Sequence, residues 1–343
     1  MQQFVRSAVL TNYAETARAV GLDPFEMLRA VGLSQTCLVE RDMRIPVEAV
    51  RRLLENSAAI SGAENFGLRL AQTRRLSILG NLGMAARDAP TVRALLNILI
   101  SHMRLHNESL MLHIEDVGGM ATIRQDLVVS ERGGMRQSVE LSIGAIVRLL
   151  RIYLGEHWNP QHVWFIHQSP VDLSLHRRFF GPTLEFGCEM DAIVCRSKEL
   201  DMPIASSDPV MADYARRQLS SNLLTQDDAV VRDVRGLILL LLPTGRCGIE
   251  QVARHLGRDP RTIQRQLAGQ GHTFSELLTE ARKALSDRYL QNPARQLNDI
   301  ALMLGFAGAS AYARWHQSQW DMTAGSRRKL LAKSKLISDP AAS

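Results

Sequence analysis

The sequence predicts an α+β protein in two parts: a mixed α/β amino-terminal domain, then an all-α domain with two helix-turn-helix units joined by a linker helix. Three observations predict it. Alternating strand-like segments interleave with helix-period segments up to about residue 205. A short helical pattern near residue 252 returns near residue 300. Positive charge gathers at the carboxy-terminal end: residues 245–335 carry 15 Lys and Arg against 7 Asp and Glu, whereas the whole chain carries 41 against 35. The expected boundaries are 1–205 for the first domain, 206–224 for a connector, 225–335 for the second domain and 336–343 for a tail.

The amino terminus reads first as a helical hairpin, "TARAVGLDPFEML", with Asp23 capping the helix that starts at Pro24. Helical periodicity then covers "PVEAVRRLLENSAAISG", "TVRALLNILISHMRL" and "QSVELSIGAIVRLLRIYLG". Strand alternation marks "MLHIED", "ATIRQDLVV", "HVWFIHQ" and "LEFGCEMDAIVC". A connector containing "SSDPVMADYARRQLSSN" leads to a helix from about Asp227 to Leu242, where Asp227 and Asp228 favour the positive end of the helix.

The carboxy-terminal region carries the more specific signal. In "IEQVARHLGRDPRTIQRQL", Val252, Ala253 and Leu256 face inward, Gly257 stops the helix, Asp259 caps the next one and Pro260 opens it. Ile263 and Leu267 form the inner face of that second helix, leaving Arg261, Thr262, Gln264, Arg265 and Gln266 outside. Arg and Gln pair with guanine and adenine edges in the major groove, and Arg and Thr also hold phosphates. The unit returns 48 residues later, where Ala301 matches Ala253: Asn298 is the expected cap, Gly305 the stop, and Tyr312 and Trp315 the inner face. Arg314 takes the place of Arg265. "FSELLTEARKALSDRYLQNP" reads as one helix from about Phe274 to Gln291. The two units, at about 249–268 and 298–317, would place their second helices in successive major grooves roughly 34 Å apart.

"VARHLGRDPRTIQRQLAGQGHTFSELLTEAR", the pair Tyr289–Leu290 and "DIALMLGFAGASAYARWH" resemble the DNA-binding domain of the AraC/XylS family of bacterial transcription regulators. "GLRLAQ" near Gly67, "LGNLGMAARDAPTVRALLNIL" and "WNPQHVWFIHQSP" followed by "FFGPTLEFGCEMDAIV" are similar to the arabinose-binding-like sensing domain of one branch of that family. The resemblance implies a regulator, with activation favoured; the two-domain layout suggests that its ligand alters the orientation of domains or protomers. It assigns base contacts to Arg261, Gln264 and Arg265, and to Ala309, Ser310, Ala311 and Arg314. Its expected partners are promoter double-stranded DNA, an effector such as an amino acid or related metabolite, and RNA polymerase, with homodimerisation open.

This sequence departs from the family where His316 replaces an aromatic residue, Asp321 a glycine, Gly308 a serine cap, and Thr323–Ala324 a Ser-Pro pair. Small side chains at Ala309, Ser310 and Ala311 touch a thymine methyl but form few hydrogen bonds, so the second unit is the weaker reader. His316 lies either in the core, loosening it, or at the domain edge.

The hairpin at Ala17–Pro24 repeats the cap and turn of the first unit but presents Phe25, Glu26, Leu28 and Arg29 where that unit presents Arg261, Thr262, Gln264 and Arg265. A phosphate-lined groove repels a carboxylate. A packed hairpin is therefore expected.

Other chemistry finds little support. His102 and His106 are four apart, a zinc-ligand spacing on a helix, with His113 seven further on, but Arg104 adds positive charge and no HExxH is present. His162 and His167 flank the apolar "VWFI" as strand ends. GxSxG, GxxxxGK[ST] and GxGxxG are missing, so neither catalysis nor a cofactor or metal is expected. Three alternatives remain: a metal sensor or enzyme-like domain using the His102/His106 pair, a DNA-binding architectural protein without sequence preference, and a protein-binding regulator. His106, Asn107 and Arg124 are the polar anchors an effector pocket could use. Four scattered cysteines, no signal-peptide core and no apolar run beyond Leu237–Leu242 point to a cytoplasmic, membrane-free protein.

Overall fold

The computed structural model describes residues 3–127, 134–205, 207–208, 210–212, 214, 229–244, 247–256 and 258–338. The chain divides into two units, Met1–Thr225 and Gln226–Ser343. In the first, β1 (Phe4–Arg6) pairs antiparallel with β2 (Arg44–Pro46). Around this ribbon lie α1 (Tyr13–Ala19), α2 (Pro24–Ala30) and α3 (Val47–Ser61), followed by α4 (Phe66–Ala71), α5 (Asn81–Arg87) and α6 (Val92–His102). The first three expected strands appear as β3 (Leu110–Val117), β4 (Met120–Leu127) and β5 (His162–Phe165), whereas the fourth segment, "LEFGCEMDAIVC", divides into β6 (Leu184–Phe186) and β7 (Asp191–Arg196). They form one sheet in the order β3-β4-β7-β5-β6, antiparallel except for β5–β6. Helices α7 (Arg136–Leu154), α8 (Ser174–Phe180) and α9 (Ser197–Leu200) complete the unit.

Glycine explains how α4 approaches α7. A Cβ at Gly67 would stand 2.0 Å from the Gln137 carbonyl oxygen, and one at Gly144 would stand 2.6 Å from the Ala71 Cβ. The Gly67 amide also donates to Gln137 Oε1 at 2.8 Å. The motif "GLRLAQ" therefore records a backbone contact.

The second unit is all helical: α10 (Ala229–Leu241), α11 (Ile249–His255), α12 (Pro260–Gly269), α13 (Phe274–Leu290), α14 (Leu297–Met303), α15 (Ala309–Trp320) and α16 (Ala324–Ser338). It has two cores. Val252, Ala253, Ile263 and Leu267 pack with Val234 and Ile238 in one. Ile300, Ala301, Leu304 and Tyr312 pack with Leu242 in the other. The connecting helix α13 belongs to both, giving Leu277 and Ala281 to the first and Leu285, Tyr289 and Leu290 to the second. Its start is fixed by a capping box, with Thr273 accepting from the Glu276 amide at 3.2 Å and Glu276 from the Thr273 amide at 2.8 Å.

Some expectations change. Gln296, not Asn298, precedes α14, and Asn298 lies one residue inside the helix with no capping bond. Helix α16 runs to Ser338, through the first residues of the expected tail. His316 is fully buried, which rules out the domain edge. Gly257, the Asp227–Asp228 pair and most of the 206–224 connector lie outside the described residues.

Candidate nucleic-acid interface and ligand cavity

The two turns that resemble each other in sequence share local geometry. Asp259 accepts from the Arg261 amide at 2.8 Å, and Asp23 accepts from the Phe25 amide at 2.8 Å. In each, the residue after the stop closes the preceding helix, Arg258 N–H on Ala253 O at 3.0 Å and Leu22 N–H on Ala17 O at 2.9 Å. What the second helix offers then differs. Helix α2 buries Met27 and Leu28 in the core of the first unit, with Glu26 exposed. Helix α12 buries Ile263 and Leu267, and it exposes Arg261, Gln264 and Arg265, with Thr262 half-buried beside them. The side chains of Arg261 and Arg265 have no ion-pair partner among the described residues. Gln266, also expected outside, accepts from Arg258 Nη1 at 2.9 Å and steadies the turn.

The second unit repeats the first with one residue more in its turn. First helices match at a spacing of 48, as Ala253 to Ala301. Second helices match at 49, as Ile263 to Tyr312 and Leu267 to His316. Arg265 and Arg314 therefore both stand sixth in their helices, and both are exposed. Ser310 is also exposed, whereas Ala309 and Ala311 are half-buried. Exposed Gln317 shares a face with Ser310, Ala313 and Arg314; helical spacing from Ser310 would have found it.

Helix α13 grips this second turn. Arg282 donates from Nε to the Leu304 carbonyl at 2.9 Å, and its guanidinium lies 4.5 Å from the Phe306 ring centre. Ser286 Oγ and Tyr312 Oη lie 2.6 Å apart, both buried. Burial pushes the Tyr312 hydroxyl up despite the Ser286 bond. His316 makes a 2.9 Å contact from Nδ1 to the Met322 carbonyl and stacks 4.4 Å from the Trp320 ring. Burial holds its imidazole below the usual value. Gly308 gives no side-chain cap to α15, and Asp321 ends that helix at φ 52°, the left-handed region that favours glycine. Thr323 supplies the serine-like cap of α16, accepting from the Ser326 amide at 3.2 Å.

The first unit contains a cavity of about 150 Å³ between α3, α6, α7 and one face of β3 and β4. His106 and Asn107 line it. Arg124 does not. Side chains alternate along a strand, and Leu127 of β4 reaches the cavity, so Arg124 falls on the opposite face, where it pairs with Asp126 at 2.9 Å. Asn107 accepts from Ser109 N–H and Oγ–H, each at 2.9 Å. His106 is 7% exposed, and its Nδ1 has no hydrogen-bond partner among the described residues. Burial, reinforced by Arg6, Arg74 and Arg44, pushes its pKa down to about 3, so the imidazole is neutral. Sequence reasoning missed Arg74, which also lines the cavity and is 5% exposed. Its guanidinium meets carbonyls of Val9, Ala8 and Thr11, the last two at 3.5 Å. No carboxylate pairs with it among the described residues.

The zinc-type spacing of His102 and His106 does not survive folding. Helix α6 ends at His102, a separate short turn covers Met103–Leu105, and the two rings therefore do not share a helix face. His102 Nδ1 contacts the Ile98 carbonyl at 3.0 Å. Among the described residues no cluster of three or more His, Cys, Asp or Glu could hold a metal ion. Among them, too, no helix is long and apolar enough to cross a membrane. All four cysteines are free thiols.

Residues 21–204 match the arabinose-binding domain of AraC transcription regulators, found at their amino termini. The HTH-type transcriptional regulator VirS of Mycobacterium tuberculosis is 30% identical over 321 residues, 93% of this chain and 94% of its own. The ornithine utilization regulator of Pseudomonas aeruginosa is 25% identical over 265 residues, 77% of this chain and 78% of its own. The crystal structure of the transcriptional regulator CdpR from Pseudomonas aeruginosa is 18% identical, with a TM-score of 0.43, covering 89% of this chain and 97% of that one.

Proposed function

Because the chain belongs to the AraC family of DNA-binding transcription regulators under effector control, we propose that α12 and α15 read its promoter from adjacent major-groove segments. Arg261, Gln264 and Arg265 would make the base-edge contacts of the first unit, with Thr262 on the backbone. Arg314 and Ser310 would make those of the second, with Ala309 and Ala311 contributing apolar contact. The observation that carries this reading is the repeat itself: Arg265 and Arg314 stand at the same position of two exposed helices tied to one connecting helix.

The domain limits follow as a sensing part up to about residue 205 and a reading part from about 225 to 335. The cavity is the effector site, with His106 and Asn107 at its wall. A cytoplasmic location, a regulatory rather than enzymatic role, RNA polymerase as partner and pairing with a second copy on DNA complete the proposal.

The test is fluorescence anisotropy of the full chain on its own upstream DNA and on a scrambled duplex across a salt series. Specific binding at least about 10³ tighter than on the scrambled duplex supports a sequence reader. Equal affinity for both duplexes overturns it in favour of an architectural binder.

A further inference from the structure

We infer that the effector is an aliphatic monocarboxylic acid, its tail in the apolar part of the cavity and its carboxylate against Arg74 and His106. This deepens the reading of the first unit as the sensor and rests on it.

The lining specifies the tail. Twenty of the 28 described lining residues carry apolar side chains, contributed mainly by α3, α6, α7, β3 and the turn Leu76–Leu79. None of the described ones is Phe, Tyr or Trp, so the walls are aliphatic. A sugar or polyol would set hydroxyls all around its frame against a wall that is mostly aliphatic, and each hydroxyl left without a partner opposes binding.

The charges specify the head. Arg74 is a buried cation whose partners among the described residues are backbone carbonyls. Buried charges are stabilised by counter-charges, and here a ligand can provide one. His106 lines the same cavity, and its buried Nδ1 has no hydrogen-bond partner among the described residues. A carboxylate accepts from both a guanidinium and a neutral imidazole N–H. A free amino acid fits less well: its ammonium would need an acidic partner, and the described lining residues include no Asp or Glu.

The experiment is calorimetric titration of the full chain with saturated monocarboxylates of six to twelve carbons, and with octanol, octylamine and leucine. At least one carboxylate is expected to bind about tenfold or more tighter than the neutral and cationic probes, with leucine silent. Ala145→Phe, which fills the cavity from α7, should abolish that binding. Arg74→Gln should bring the carboxylate down to the octanol level. If either variant fails to fold, the ligand series on the unaltered chain still decides. Octanol or leucine binding as tightly as every carboxylate overturns the proposal. So does silence of all the acids in a preparation that binds its promoter, and that outcome leaves the DNA-reading proposal standing. Loss of promoter specificity alongside normal carboxylate binding has the opposite meaning.

Discussion

The hydroxyl of Tyr312 in α15 lies 2.6 Å from that of Ser286 in α13, and both residues are withdrawn from solvent. This contact joins the helix proposed to read DNA in the second unit to the helix shared by both cores. Tyr312→Phe removes the bond and leaves Ser286 without that partner. Urea unfolding followed by tryptophan fluorescence should show a loss of about 1–2 kcal/mol. Ser286→Ala combined with it should cost little more, because the orphaned hydroxyl is then gone.

Gly67 is expected to tolerate nothing larger. A methyl group there meets the Gln137 carbonyl at 2.0 Å, so α4 and α7 must separate. Gly67→Ala should destabilise the first unit by about 3 kcal/mol or more, or yield insoluble protein. Gly269→Ala in α12, with open space around it, is the matched control and should leave solubility and melting temperature intact.

Asp321 closes α15 in the left-handed region at φ 52°. Asp321→Gly relieves that conformation, and differential scanning calorimetry should record about 0.5–1 kcal/mol of added stability in the second unit.

His106 predicts the pH response of the first unit. Its pKa falls from 6.5 to about 3 on folding, so the unfolded chain takes up the proton first as pH drops. Its contribution to stability is therefore intact above pH 6.5 and declines below it, by about 1.4 kcal/mol per pH unit until the folded-state value is reached. Between pH 6.5 and 5 the loss is about 2 kcal/mol. His106→Leu should flatten that part of the profile, as followed by urea unfolding at each pH.

Local chemistry made much of this architecture legible in the sequence. Asp23 and Asp259 announce their caps, and Phe25 and Glu26 in the places of Arg261 and Thr262 separate a packed hairpin from an exposed basic helix. The strands β3, β4 and β5 and the span of α13 were also readable, because periodicity and the proline at 293 are local signals; the division of "LEFGCEMDAIVC" into β6 and β7, which sit on either side of β5, was not. Features that depend on tertiary packing were not. Arg124 and Leu127 are three residues apart on one strand and so lie on opposite faces, but only the packing of α3, α6 and α7 over the sheet decides which face closes the cavity. The cavity gathers residues from Val5 to Ile152, so no window of sequence contains it. His102 and His106 carried a helical spacing that the end of α6 interrupts. The burial of His316 follows from the one-residue longer turn, which sets it in the place of Leu267.

The central claim, two unequal readers on one frame, is tested most directly by Arg265→Ala and Arg314→Ala, measured by anisotropy on the chain's own promoter and on scrambled DNA. Arg265→Ala should cost about 1–3 kcal/mol on the promoter and little on scrambled DNA, with Arg314→Ala smaller but in the same sense. Equal losses on both duplexes, or none on either, would contradict base reading by these helices.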